Sequence, residues 1–181
     1  MANDIRHLNR VIFINNSLGR RKLKETLGNL LVGLIFSPED IWLISPWVSD
    51  FELLDNRAGD WNAVDSSWGT RQINFSELLI CAMNSGCCLH FVTTSDSNNR
   101  AFIERLRIAV PDEEIFQHVI SEKLHIKGLL TSSFFLAGSM NFTYSGAHIN
   151  DEQINLSIDP NTISEARIEV EQYYVHKYGV E

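Results

Sequence analysis

Apolar residues recur along this chain in two rhythms, one suited to strands and one to helices. Arg10-Val11-Ile12-Phe13-Ile14-Asn15 reads as a short strand stopped by Asn16-Ser17. Ser17 is placed to cap the helix that follows, in which Leu23, Leu27, Leu30 and Leu34 fall on one face. Pro38 breaks that run. Ile41 to Val48 (Ile-Trp-Leu-Ile-Ser-Pro-Trp-Val) is nearly all apolar, as expected for a strand covered on both faces. Asn74 with Glu77 resembles a capping box opening a helix through Met83, which Gly86 closes. Cys87 to Thr94 reads as a third strand. Ser97 or Asn98 starts a helix that places Phe102, Leu106 and Ala109 or Val110 on one side, and Pro111 ends it. Ile115 to Ile120 is a fourth strand.

From Lys123 onward strands crowd together. Two of them, over residues 124–131 and 134–138, are separated only by Ser132-Ser133, a hairpin-length gap. Another near 152–158 leads to Pro160 and a last helix carrying Ile163, Val170, Tyr173 and Tyr174, with Gly179 as its stop. Strand–helix–strand alternation followed by antiparallel strands predicts an α/β sandwich: one domain over 1–181, a mixed β-sheet flanked by helices on both faces. Residues 52–74 keep no period, and their aromatics suggest a packed flap at a substrate entrance.

Composition narrows the class. The 181 residues are 44% hydrophobic and 21% charged, as in ordinary globular domains. The longest apolar stretch, Leu30 to Phe36, is too short to span a bilayer. The polar start lacks the apolar core of a signal peptide, so a cytoplasmic location is expected. Cys81, Cys87 and Cys88 have neither disulfide nor zinc spacing and read as reduced thiols. The formal net charge of −8 argues against a protein that coats DNA by phosphate neutralisation. It leaves room for a locally basic site or for a partner that delivers substrate. The densest basic cluster, Arg20-Arg21-Lys22 with Lys24, reads as a solvated helix face, with phosphate or partner contact as the sharper alternative.

The chemistry concentrates in residues 125–141, His-Ile-Lys-Gly-Leu-Leu-Thr-Ser-Ser-Phe-Phe-Leu-Ala-Gly-Ser-Met-Asn. On a strand His125 and Lys127 would share a face, and Ser139 and Asn141 repeat that spacing on the returning arm. An imidazole, an ammonium, a hydroxyl and a carboxamide converging from neighbouring strands suit a phosphate. From average residue usage, a lone His-x-Lys arises by chance in roughly one protein in five of this length. Adding Gly-Ser-x-Asn near its expected place lowers that to about one in ten thousand.

In these residues the chain resembles the phospholipase D superfamily, whose motif is His-x-Lys, four residues, Asp, then Gly-Ser-x-Asn. His125, Lys127, Gly138, Ser139 and Asn141 match, and Glu152 stands where small members of the family place a Glu. The stretch Ile41–Val48 with its Ser45-Pro46-Trp47 is similar to the N-terminal half of that fold. Two features depart from the pattern: Ser132 replaces the motif Asp, and the spacing from His125 to Gly138 is slightly short, both at the hairpin turn.

The resemblance implies a metal-independent phosphodiesterase, most nearly a nuclease cutting DNA or RNA, with no cofactor. His125 would attack phosphorus to give a phosphohistidine that water hydrolyses. A second imidazole would protonate the leaving oxygen. With one motif per chain, that imidazole would be His125 of a second protomer in a two-fold homodimer. Glu152 would accept the far ring N–H of the histidine, while Lys127 and Asn141, with Ser139 behind them, would hold the phosphoryl oxygens. By analogy with restriction, defence and repair nucleases of this type, an ATPase or DNA-recognition subunit is an expected partner. The Ser132 departure motivates a second reading, a non-catalytic subunit that binds nucleic acid or a partner protein. Lipid cleavage ranks last, because no basic amphipathic helix with exposed aromatics is evident.

The remaining candidates have blander readings. His7, His90, His118, His148 and His176 are scattered, with His118 or His148 the ones that could line a pocket. Asp50, Asp55, Asp60 and Asp65 are spaced too widely for a calcium loop. Trp61 and Trp68 could stack on bases, but packing their long loop is the simpler use.

Overall fold

The computed structural model describes residues 8–178, with side chains through Tyr174. His7, the His176 side chain and Gly179, the expected helix stop, lie outside the described residues. The chain runs β1 (Asn9–Ile14), α1 (Ser17–Phe36), β2 (Ile41–Ile44), β3 (Glu52–Asp55), β4 (Gln72–Asn74), α2 (Phe75–Asn84) and β5 (Leu89–Thr93). It continues through α3 (Ser97–Ala109), β6 (Phe116–Ile120), β7 (Gly128–Leu130), β8 (Phe135–Gly138), α4 (Tyr144–His148), β9 (Glu152–Ser157) and α5 (Pro160–Tyr178).

Seven strands form one mixed sheet in the order β1-β9-β8-β7-β2-β5-β6. Strands β2, β5 and β6 are parallel, and the pairs on the β7 side of β2 are antiparallel. All four residues of β2 are buried. Their period of two sorts them: Ile41 and Leu43 enter the main core with Leu23 of α1, Leu78 of α2 and Phe102 of α3. Trp42 and Ile44 enter a smaller core with Val92, Leu130, and Ile163 and Val170 of α5. Helices therefore cover both faces of the sheet. Among the described residues no helix is long and apolar enough to cross a membrane.

Local chemistry sets the element ends, sometimes a residue or more from where the pattern placed them. Asn16, not Ser17, caps α1, accepting the Gly19 amide at 2.9 Å. Gly19 packs so closely under β1 that a Cβ there would lie 2.0 Å from the Phe13 carbonyl oxygen. On α1, Leu31 is buried where Leu30 is only partly so. The Asn74–Glu77 capping box forms as read. Strand β2 stops at Ile44 rather than continuing to Val48, because Pro46 has no amide to extend a ladder and the chain turns there. Residues 52–74 fold as the β3–β4 ribbon with a 3-10 turn at Ser66–Trp68. Trp68 is buried there and thus unavailable to bases, while Trp61 packs partly against the core. Cys87 is buried and Cys81 and Cys88 half-buried; burial pushes all three thiols up.

His90 stacks on Trp42 with ring centroids 4.5 Å apart. Burial lowers its pKa below the ordinary 6.5, against the raising effect of its Gln117 hydrogen bond. An unfolded chain then binds more protons than the folded one in the window below that value. The stability this group contributes is fully present above pH 6.5 and lost as pH falls through the folded value. Urea midpoints measured from neutral pH into that window should decline for the wild type and decline less steeply for His90→Gln; parallel declines would contradict this.

Candidate active site

Strand registers set the candidate residues side by side at one end of the sheet. Ile44 pairs with Gly128, Gly128 with Ala137, Gly138 with Ile154, and Glu152 with Ile14. The end of β2, the start of β7, the end of β8 and the start of β9 therefore lie together. This is also where the parallel strands finish, the end at which open α/β sheets bind ligands.

His125 and Lys127 are not strand residues, contrary to the alternation argument. They lie in an irregular stretch before β7, and a hydrogen bond brings them together. Lys127 Nζ donates to the His125 carbonyl at 2.7 Å and lies 3.5 Å from its Nδ1. Lys127 is 9% exposed, and no carboxylate among the described residues pairs with its ammonium. His125 is exposed, lining a groove of about 260 Å³ against α5 with Lys123, Glu169 and Tyr173.

Ser139 and Asn141 diverge to different partners. The Ser139 hydroxyl donates to the Glu152 carboxylate and accepts the Gln153 amide at 3.0 Å. Asn141 Oδ1 lies 3.5 Å from Ser45 Oγ. Glu152 takes its second hydrogen bond from Asn150, at 3.3 Å, and none from His125 of the same chain. The expected Glu152–His125 bond is thus absent within one protomer, because β8–β9 pairing holds Glu152 beside Ser139 while His125 lines the α5 groove. The five residues form three small groups along one edge. Gly138 is required for that edge to close: a Cβ would lie 2.1 Å from the Gln153 carbonyl oxygen.

No protein-family model matches the chain, and no curated protein matches it in sequence. Solved structures do match. Nuc from Salmonella typhimurium, a phospholipase D family member, aligns over 91% of this chain and 91% of its own at a TM-score of 0.59 and 13% identity. NucT from Helicobacter pylori aligns over 91% and 93% at a TM-score of 0.55, also at 13% identity. Polyphosphate kinase from Porphyromonas gingivalis aligns over 92% of this chain at a TM-score of 0.58 and 16% identity, but this chain spans only 26% of that protein. The fold is that of the phospholipase D superfamily. At such identities the likeness is one of fold.

Within this phospholipase D fold, Ser132 sits exposed in the turn that closes the β7–β8 hairpin, at the end opposite His125 and Ser139. A carboxylate is present at that turn from another segment: Glu39 accepts the Ser133 amide at 3.0 Å and the Ser133 hydroxyl. Burial raises the Glu39 pKa, but hydrogen bonds from Ser133, Ser132 and Thr131 outweigh it and hold the carboxyl below its ordinary value.

The sequence assigns no role to two supporting residues, Ser45 figuring only in the resemblance. Ser45, fully buried, donates to the Trp47 carbonyl at 2.7 Å and accepts the Phe142 amide at 3.3 Å. Asn99, 1% exposed on α3, accepts the Val48 amide at 2.8 Å and donates to the Pro46 carbonyl at 2.9 Å and to Thr93 Oγ1 at 2.8 Å. It clamps the 45–48 loop, which bridges to Phe142 beside the motif Asn141. An Asn in the first turn of a helix looks like any solvated polar residue, so no pattern marks it. Replacing it with Leu strands the Val48 amide, while the Pro46 carbonyl keeps the Thr94 hydroxyl at 2.7 Å. It should cost about 1–3 kcal/mol in urea unfolding, the range for one stranded buried group. A change under about 0.5 kcal/mol, the size of an ordinary surface substitution, would contradict the clamp.

Proposed function

We propose that this chain is a metal-independent phosphodiesterase of nuclease type, cutting DNA or RNA at a site shared across a homodimer. The observation that carries the reading is Lys127: a buried ammonium with no carboxylate partner among the described residues, bonded to the backbone of an exposed histidine. A buried cation is costly unless a counter-charge arrives, and a phosphodiester supplies one. Lys127, His125, Ser139 and Asn141 bring one charged and several neutral donors, with Glu152 the only carboxylate. Such a set suits phosphoryl oxygens better than a divalent cation.

In the proposed reaction a ring nitrogen of His125 forms a bond to phosphorus as the phosphorus–oxygen ester bond breaks. The leaving oxygen takes a proton from a second imidazole, which then accepts a proton from water as water displaces the histidine. Among the described histidines of one chain none fills that role: His90 is stacked on Trp42, His118 meets Arg107 at 3.3 Å, and His148 lines a different cavity. With one motif per chain, the second imidazole in this reading is His125 of a second protomer, and the two titrate as a coupled pair. Ile126, 56% exposed beside His125, gives this edge an apolar contact for such a partner. Glu152, unbonded to its own His125, is left to orient the imidazole across the two-fold axis. An ATPase or DNA-recognition subunit that delivers substrate fits the acidic net charge of −8.

The reading is tested by cleavage of single- and double-stranded DNA and RNA in EDTA. Wild type should cut at least one substrate, and His125→Ala should lose about a thousandfold or more, as expected for removing a nucleophile. Cleavage that requires a divalent cation, or that survives in His125→Ala, overturns the mechanism. A folded dimer inert on every substrate would instead favour the subunit that only binds, the alternative raised by Ser132.

A further inference from the structure

A cavity larger than the groove at His125 lies elsewhere on the chain. It holds about 660 Å³ between α1 and the β3–β4 ribbon, within the range of small-ligand pockets. Arg20, Arg21 and Lys24 of α1 line one wall, His148 of α4 closes an end, and Leu53, Leu54 and Trp61 supply apolar surface opposite. Three features of the sequence that the proposed reaction leaves idle thus meet here: the basic cluster, Trp61 and His148.

The charges around this cavity are unevenly matched. Its carboxylates are Glu25 and Asp55. Glu25 is engaged by Arg21 at 3.4 Å, and Asp55 by Arg57 at 2.6 Å, which holds the Asp55 carboxyl down at about 2 through its hydrogen bonds. Neither Arg20 nor Lys24 is ion-paired to another described residue. Arg20 Nη2 donates to the Ile149 carbonyl at 2.9 Å, but its buried Nε has no protein hydrogen-bond partner, and neither has His148 Nε2. Unpaired buried nitrogens are rare enough to need a reason. Burial lowers the Lys24 pKa even though Glu52 and Asp55 pull it upward. Burial, followed by Lys24, also lowers that of His148, with Arg20 adding to it against Glu52. On a chain of net charge −8, this is a local cluster of positive charge beside an aromatic ring, offset in part by Glu52.

We propose that this cavity binds a nucleotide phosphate, with phosphate oxygens on Arg20 and Lys24 and the base against Trp61 and Leu54. An apolar wall with a flat aromatic and a cationic wall is the pairing a base and its phosphate require. The Ser17–Arg20 side of the cavity lies at the same end of the sheet as the candidate active site, since α1 starts just beyond Ile14, the register partner of Glu152. Tyr144, 53% exposed and close in sequence to the motif Asn141, stacks on His148 of this cavity with ring centroids 4.5 Å apart. The ligand is either a free mononucleotide or the terminal nucleotide of a strand. The binding stands whether or not His125 is a nucleophile.

Isothermal titration of the full-length His125→Ala protein in EDTA separates binding from turnover. AMP should bind, adenosine and inorganic phosphate should each bind more weakly, and Arg20→Ala and Lys24→Ala should each weaken AMP by about tenfold, the loss expected for one charge-assisted hydrogen bond. Lys24→Glu, a charge reversal at this half-buried position whose fold is checked by its melting temperature, should abolish binding. A short 5′-phosphorylated oligothymidylate that binds like AMP, with the same losses, identifies a strand end as the ligand. Its failure beside intact AMP binding identifies a free nucleotide. No AMP binding to the folded protein, or AMP binding unchanged in Lys24→Glu, overturns the proposal.

Discussion

Burial of β2 on both faces ties both helix layers to the sheet. Ile41 and Leu43 belong to one core and Trp42 and Ile44 to the other, so four consecutive residues hold two layers of helices to one sheet. The same strand joins the parallel half of the sheet to the antiparallel half through β5 and β7. A polar residue at any of these four positions would face a core with no partner. Because β2 is short and Pro46 ends it, the chain leaves the sheet at Ser45, and Ser45 is where the scaffold first touches the candidate site through Asn141.

From that junction the registers carry the site outward. The start of β7 sets Lys127 beside the end of β2, and β8–β9 pairing holds Glu152 against Ser139. The chain thus places a buried ammonium, an exposed imidazole and a bonded hydroxyl–carboxylate pair along one edge. The parts do not close into a complete acid–base pair within one protomer. In the proposed reading a second copy completes the site, and the exposed position of His125 allows it.

What the pattern of the chain revealed, and what it concealed, divides along physical lines. Long amphipathic repeats were legible: Leu23, Leu27 and Leu34 on α1, Phe102 and Leu106 on α3, Ile163 and Val170 on α5 are all buried as their spacing requires. The mixed sheet followed from the order of strands, and the hairpin turn from Ser132-Ser133. Short or irregular segments were not legible. Helix α4, five residues capped by Thr143, is too short for a period to register. The stretch carrying His125 and Lys127 resembles a strand in sequence but is held by the Lys127 bond to the His125 carbonyl instead. Contacts between distant segments, such as Asn99 with the 45–48 loop or Glu39 with the hairpin turn, leave no local mark. Trp61, read as loop packing or a stacking surface, does pack on the core and also walls the cavity with Arg20 and Lys24.

In the proposed reading, His125 from each of two chains makes one shared site. Co-refolding wild-type and His125→Ala protomers in varied proportions, with cleavage measured at constant total protein, tests that sharing. If the site needs His125 from both protomers, mixed dimers are inert and activity follows the square of the wild-type fraction. Activity in direct proportion to that fraction would show that each protomer works alone and would contradict the account.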